Sequence, residues 1–375
     1  MHISKGYRDG SQERDYWPTR HWRISEPQKW GLDAALFGQL ETHIQRTETL
    51  RSVLVLYSGD LIFEKYSSGG TQNIYQNVNS ITKSVVSALV GIALQEGFLQ
   101  DIDQPLLSFF PEYIPQDLDP RRKAITLRHL LSMSSGYALP PGDSEAFLSD
   151  PPLLEYGSSL EKLLGRPMEH EPGEVFAYDD LSSHIVALVL TRSTGMPLAT
   201  FAQTRLFDPL GIWRDEQNNL YPWQRGTHAE DDHHPFGLWN EQEPYLWSVD
   251  KQGHHIGSYG LQLTTRELAK FGYLYLNRGQ WDGQQLISAD YVQASWRQQS
   301  KIENDRAYGY LWYLLPLGRH ASFCAIGYGG QLLLCLPDLD TVIVVTSIPT
   351  LDASDAARKV VRDFIVPALE DAVLR

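Results

Sequence analysis

Gln76–Gln95 reads QNVNSITKSVVSALVGIALQ. The run from Ser80 to Glu96 predicts a helix that is apolar on most sides, and such a helix is buried. Within it stands Lys83, the only charged side chain between Lys65 and Glu96. An ammonium entering an apolar helix is costly unless it has a partner or a task. Ser80 lies three residues earlier, so the two side chains share a helix face, roughly 5–6 Å apart at Cβ. Two readings compete. In the first, Ser80 is a nucleophile and Lys83 its base, burial or nearby positive charge lowering the lysine from its ordinary value of about 10.4. The free N–H groups of the helix start then face a developing oxyanion. In the second, Ser80 caps the helix and Lys83 snorkels to the surface.

Working outward, Asp33–Gln45 predicts a helix. Ser52–Tyr57 (SVLVLY) and Leu61–Tyr66 (LIFEKY) predict strands joined by a turn at Ser58-Gly59-Asp60. From about 101 to 254 helical segments alternate with Pro- and Gly-rich loops: Leu127–Met133, Ser158–Leu164, Leu181–Ser193 and Ala199–Leu206. Beyond Gly257 come helices at Thr265–Asn277 and Ala289–Gln298. Strands follow at Tyr308–Leu315, Ser322–Ile326, Gln331–Leu336 and Thr341–Thr346, the last pair turned by Asp338-Leu339-Asp340. A closing helix spans Ser354–Val373, kinked at Pro367. The expected class is therefore α+β. Residues 1–100 and 255–375 form a lobe whose antiparallel sheet closes only if the chain ends meet. Residues 101–254 form a mostly helical lobe, and a ligand is expected in the cleft between the two.

The Ser-x-x-Lys spacing occurs three times: Ser80/Lys83, Ser159/Lys162 and Ser248/Lys251. The second lies on a charged amphipathic segment, where Glu161 neighbours Lys162, and the third in a polar loop, so both read as surface lysines. Further along, EPGEVFAYDD (Glu171–Asp180) places Tyr178 at the mouth of the Leu181–Ser193 helix. A phenol there relays protons if a cation favours its phenolate, or else simply packs in the core. GYGGQ (Gly327–Gln331) opens a strand. Gly329 and Gly330 either let a ligand approach the backbone or make a plain tight turn.

Taken in order, these segments resemble the serine β-lactamase and penicillin-recognising superfamily, and within it the class C-like esterases and 6-aminohexanoate-dimer hydrolases. QNVNSITKS carries the Ser-x-x-Lys motif, PGEVFAYDD the Pro-Gly, Phe and Tyr-x-Asn pattern, and GYGGQ the place of Lys-Thr-Gly. ITLRHLLSMSSG (Ile125–Gly136) and YGLQLTTRELAKFGYLYLNRG (Tyr259–Gly279) are similar to further stretches of that family. The resemblance runs from about Leu54 to Thr346. It implies a β-lactamase-like fold, catalysis by Ser80, Lys83 and Tyr178, and an oxyanion hole from the N–H groups of Ser80 and Gln331. Tyr328, Gly329, Gly330 and Asp180 line the substrate. Two departures stand out. Asp180 occupies the usual Asn position, and its charge is expected to hold Lys83 protonated and favour a phenolate at Tyr178. Tyr328 replaces the cation that meets a penicillin carboxylate, which argues against efficient β-lactam hydrolysis and for a neutral ester or amide substrate. True β-lactamase or D-amino-acid peptidase activity is the alternative within this family.

The whole chain bounds these readings. Its 375 residues suit one large or two interlocked domains, and its net charge of −14 repels nucleic acid and anionic membranes. The start of the chain lacks the apolar stretch of a signal peptide, and the apolar run Val85–Leu94 is too short to span a bilayer, so a cytoplasmic location is expected. The generous aromatic content fills cores or lines a cleft. Cys324 and Cys335 are symmetric about Gly329–Gly330. They are two buried thiols, or they face each other across a hairpin. Gly142-Asp-Ser-Glu-Ala146 lacks the strand a nucleophile elbow needs. His228, Asp231, Asp232, His233, His234, His254 and His255 have no metalloprotease spacing and read as a solvated loop. No metal or organic cofactor is expected, and the partner is a small-molecule ester or amide. A catalytically silent binding module of the same fold is the non-enzymatic alternative.

Overall fold

The computed structural model describes residues 14–67, 70–114, 118–139, 160–214, 246–303 and 305–373. At its centre is an eight-stranded antiparallel sheet. In chain order its strands are β1 (Leu50–Tyr57), β2 (Asp60–Tyr66), β3 (Ser300–Lys301), β4 (Ala307–Tyr308), β5 (Tyr313–Leu314), β6 (Phe323–Gly327), β7 (Gln331–Leu336) and β8 (Thr341–Ser347). Across the sheet they run β2-β1-β8-β7-β6-β5-β4-β3. Strand β8 joins the two groups, with Val53 opposite Val345 and Leu56 opposite Val342. The chain ends do meet, as a single sheet requires.

Strands β7 and β8 are buried at every residue. Their apolar side chains do not alternate with polar ones because helices cover both faces. On the outer face Val53, Val55, Leu334, Ile343 and Val345 pack with Phe37, Leu40 and Ile44 of helix α1 (Ala34–Arg46) and with Val360, Ile365 and Leu369 near the chain end. Asp33 starts α1 by accepting from the N–H groups of Ala35 and Leu36. On the inner face Leu54, Leu56, Leu333, Val342 and Val344 share one core with three helices. Of these, α2 (Ile81–Gln95) and α5 (Thr265–Leu276) lie on the sheet, and α4 (Asp180–Thr194) packs behind them on α2. A shorter helix, α3 (Leu127–Leu131), packs on α4. Most of α2, from Ile81 to Ala93, is buried, as its composition predicts. Among the described residues no single helix is long and apolar enough to cross a membrane.

Three sequence expectations change. The strand expected over Tyr308–Leu315 is two short strands, β4 and β5. Leu311 between them adopts a left-handed φ of 59° and donates its N–H to the Leu131 carbonyl, while Ser84 Oγ donates to the Leu311 carbonyl. The closing helix runs without a gap but is not uniformly α, widening between Ala353–Lys359 and Val366–Val373 to a π-helical turn over Val360–Ile365. That turn immediately precedes Pro367, which has no N–H to donate and crowds the preceding turn. Finally, the β6–β7 register sets Phe323, not Cys324, opposite Cys335. A one-residue offset sends a side chain to the other face of a sheet. Cys324 therefore lies in the outer core and Cys335 in the inner one, both as buried free thiols.

Candidate active site

The site begins with the backbone leading into α2. Gln76 and Asn77 pair with Leu263 and Gln262, and Val78 N–H donates to the Leu261 carbonyl. Asn79 then turns the chain with a left-handed φ of 49°, its own N–H held by Asn77 Oδ1 at 2.9 Å. Asparagine tolerates this conformation better than most residues. The turn delivers a partly exposed Ser80 at the start of α2, and its hydroxyl does not cap the helix. Instead Lys83 Nζ donates to Ser80 Oγ at 2.9 Å. The Lys83 side chain is 2% exposed, so it does not snorkel. Both halves of the capping alternative fail.

Two further groups hold Nζ. Asp180 Oδ1 lies 2.5 Å away and the Ser258 carbonyl accepts at 2.9 Å. Asp180 is the first residue of α4. The helix starts there because Asp179 accepts from the N–H groups of Leu181 and Ser182, and Asp179 is itself fixed by an ion pair with buried Arg166 at 2.8 Å. Burial pushes the Asp180 carboxyl up while the Lys83 charge pulls it down, with a net rise. Tyr178 arrives from the same helix mouth. Lys83 Nζ sits 4.9 Å from its ring centroid. Loss of water and the Asp180 charge both raise the Tyr178 phenol well above its usual range. The expectation that Asp180 favours a phenolate is thereby reversed, because a nearby carboxylate repels the phenolate. Beside Lys83, burial thus favours the neutral phenol at Tyr178. Tyr313 stacks on it at 6.3 Å.

The glycine segment closes on the same point. Asn79 Nδ2 donates to the Tyr328 carbonyl at 2.9 Å, and a Cβ on Gly327 would lie 2.3 Å from the Val78 carbonyl oxygen. Gly329 and Gly330 have φ of 73° and 81°. Their missing Cβ positions are occupied by Pro349 and by the Ala353 carbonyl, so these glycines serve the turn and its packing against the chain after β8. Tyr328 is partly exposed. The Gln331 side chain is tied inward, donating to the carbonyls of Gly329 and Ser347, which leaves only its backbone for an oxyanion.

The sequence reading passed over Asn79, Ser258, Tyr313 and the loop that presents Ser258. A backbone carbonyl carries no residue-type signal, and Asn79 showed only as a polar neighbour of the motif. Ser248 and His255, expected in a solvated loop, are buried; Trp247 donates its indole N–H to the Ile256 carbonyl, and His255 packs edge-on against its ring. The remaining candidate metal ligands, His228 to His234, lie outside the described residues, as do Ser144, Ser159 and the first thirteen positions. Burial holds the His255 imidazolium down at about 4. A depressed histidine contributes stability that is full above its unfolded value near 6.5 and is lost as pH falls towards 4. Between pH 7.5 and 4.5 the wild type is expected to lose about 2–3 kcal/mol more than His255→Asn. Urea titrations at the two pH values check this, and equal losses would show that His255 is not held neutral.

With this geometry in hand, comparison with known proteins is informative. The sequence profile of the beta-lactamase family matches residues 51–363. The chain belongs to the beta-lactamase family. Among individual relatives of this family, esterase EstB of Burkholderia gladioli is 30% identical over 142 residues, a stretch spanning 36% of each chain. Among solved structures, a protein assigned as a 6-aminohexanoate-dimer hydrolase, from Bacillus anthracis, superposes with a TM-score of 0.69 at 19% identity, covering 88% of this chain and 81% of that one. EstCE1, a hydrolase with promiscuous acyltransferase activity, gives 0.67 at 16% identity, covering 93% and 99%. The two structures support the beta-lactamase-like fold.

Proposed function

We propose that the protein is a serine hydrolase that cleaves a neutral ester or amide through an acyl-enzyme on Ser80. The observation that carries this is the Ser80–Lys83 contact of 2.9 Å, with the lysine buried rather than extended to solvent. Lys83 acts as a base once it has given up one proton, its two remaining N–H bonds staying with the Ser258 carbonyl and the Asp180 carboxylate. Its lone pair then faces the Ser80 hydroxyl. As Ser80 attacks the carbonyl carbon, its proton passes to Lys83, and the ammonium so formed is stabilised by Asp180. The backbone N–H groups of Ser80 and Gln331 receive the oxyanion. Tyr178 protonates the departing alcohol or amine and is recharged from Lys83. Water then enters, gives a proton to the same pair as it attacks the acyl carbon, and the pair returns that proton to Ser80 Oγ as the C–Oγ bond breaks and the acid leaves. These steps require no cofactor. By their names, EstB acts on esters and the Bacillus anthracis protein is assigned to hydrolysis of a 6-aminohexanoate dimer.

The test is direct. Incubation with a fluorophosphonate probe and with short p-nitrophenyl esters should give turnover and a covalent adduct on the peptide containing Ser80. Absence of both would leave the catalytically silent binding module as the better reading.

Tyr328 carries the substrate preference. It stands where penicillin-recognising relatives place a cation, and Asn79 fixes its backbone beside the nucleophile. Tyr328→Lys is expected to lower KM for a carboxylate-bearing p-nitrophenyl ester about tenfold, or ~1.4 kcal/mol, while leaving the neutral ester unchanged. An unchanged KM for the charged ester would show that position 328 does not face bound substrate.

A further inference from the structure

The loop that supplies the Ser258 carbonyl is anchored to α4 by a buried pair, His184 and Asp250. His184 lies one turn after Asp180 on α4 and is fully buried. Its Nδ1 accepts from the Gly257 N–H at 3.3 Å, which assigns the imidazole proton to Nε2, and Nε2 faces Asp250 Oδ2 at 3.2 Å. Asp250 is also buried. Its other oxygen, Oδ1, accepts from the N–H groups of Gln252 and His254 and so shapes the loop tip. His254, partly exposed, approaches Asp250 Oδ2 at 3.5 Å. Gly257 presses directly on the helix, since a Cβ there would meet the Ser183 carbonyl oxygen at 2.4 Å. The next residue, Ser258, presents its carbonyl to Lys83.

We infer that His184 and Asp250 are positioning residues that fix the Ser258 carbonyl relative to Asp180, and thereby aim Lys83 at Ser80. This rests on the hydrolase reading above. Both acceptors of the lysine are then referenced to one rigid helix: Asp180 belongs to it, and Ser258 is clipped to it one turn later through His184. A catalytic amine displaced by about 1 Å loses on the order of 10²-fold in rate, so a clip of this kind is read in kcat rather than in binding.

Asp250→Asn isolates the effect. The Asn carbonyl can still accept from Gln252 and His254, but its amide takes the place of Oδ2 and opposes the His184 Nε2–H, donor against donor. The experiment counts active sites by titrating one aliquot to completion with a fluorophosphonate, and measures kcat per site and KM on a neutral p-nitrophenyl ester with a second, unlabelled aliquot. Expected is a fall of at least tenfold in kcat per site with KM within about threefold. A kcat per site equal to wild type, even in a protein of lower melting temperature, would reduce the pair to scaffolding and overturn the inference. If the variant does not fold, His184→Gln and His184→Ala decide instead. Glutamine restores a donor to Asp250 and should recover about tenfold in kcat per site over alanine; equal values overturn the inference. A wild type that neither labels nor turns over ester overturns the hydrolase reading itself, which separates the two failures.

Discussion

Ser80→Ala is expected to reduce ester turnover by at least about 10⁴-fold and to abolish fluorophosphonate labelling, with the melting temperature within a few degrees of wild type. The loss is chemical. Without Oγ there is no acyl-enzyme, and the oxyanion donors and bound water support only residual hydrolysis. The fold should survive because the hydroxyl caps nothing and its site is partly exposed. The substitution removes one oxygen and leaves Lys83 with its other two partners, Asp180 and the Ser258 carbonyl. Kinetics, intact-mass labelling and thermal melting check the three parts separately. Residual turnover within tenfold of wild type would mean that another residue is the nucleophile.

Lys83→Ala is expected to cost at least about 10³-fold in kcat/KM, because base and cation are removed together. It should also destabilise the fold, unlike Ser80→Ala. Asp180 is 7% exposed, and Lys83 is the charge that holds its carboxyl down against burial. A buried charge left without its partner typically costs about 3–5 kcal/mol. The sign of the pH dependence follows. With Lys83 gone, the folded pKa of Asp180 rises further, and a carboxyl raised above its unfolded value loses stability as pH increases through the folded value. Lys83→Ala should therefore melt closer to wild type at pH 5 than at pH 8. Adding Asp180→Asn should restore stability at pH 8 without restoring activity. A single variant that is active, or whose stability deficit is the same at both pH values, would contradict the pairing.

Much of this site was legible in the sequence because it rests on contrast. One lysine in an apolar helix is conspicuous, and burial enforces what the composition announces. The strands β1, β7 and β8 were legible for the same reason, as continuous apolar runs demanded by a sheet covered on both faces. What escaped depends on one-residue geometry or on backbone atoms. Leu311 in a left-handed turn splits a run that reads as a single strand. The offset between Cys324 and Cys335 puts thiols that look symmetric in sequence on opposite faces. The Ser258 carbonyl could come from any residue type. Asp180 was seen, but its effect on Tyr178 was inverted, because only the distances show that the carboxylate, and not just the ammonium, bears on the phenol. Loop 246–257 looked polar because its histidines and aspartate are polar, while their burial comes from Trp247 and from α4.

Strand β8 has a further consequence, for the timing of synthesis. It is hydrogen-bonded between β1 and β7, so β1, which pairs early with β2 on one edge, gains the neighbour on its other edge only when β8 has emerged. Ser80 and Lys83 are made early, yet the strands that α2 rests on, β6 and β7, come far later in the chain, and they join β1 only through residues 341–347. Closing the loop from Val53 to Val345 costs roughly 5 kcal/mol of chain entropy, repaid only at the end. A nascent or truncated chain that stops before Thr341 therefore carries Ser80 and Lys83 without the closed sheet behind them. It also exposes the apolar edges of β1 and β7 to any other chain. Activity should appear all at once on release of the full-length chain, and premature termination should yield aggregates rather than weakened enzyme.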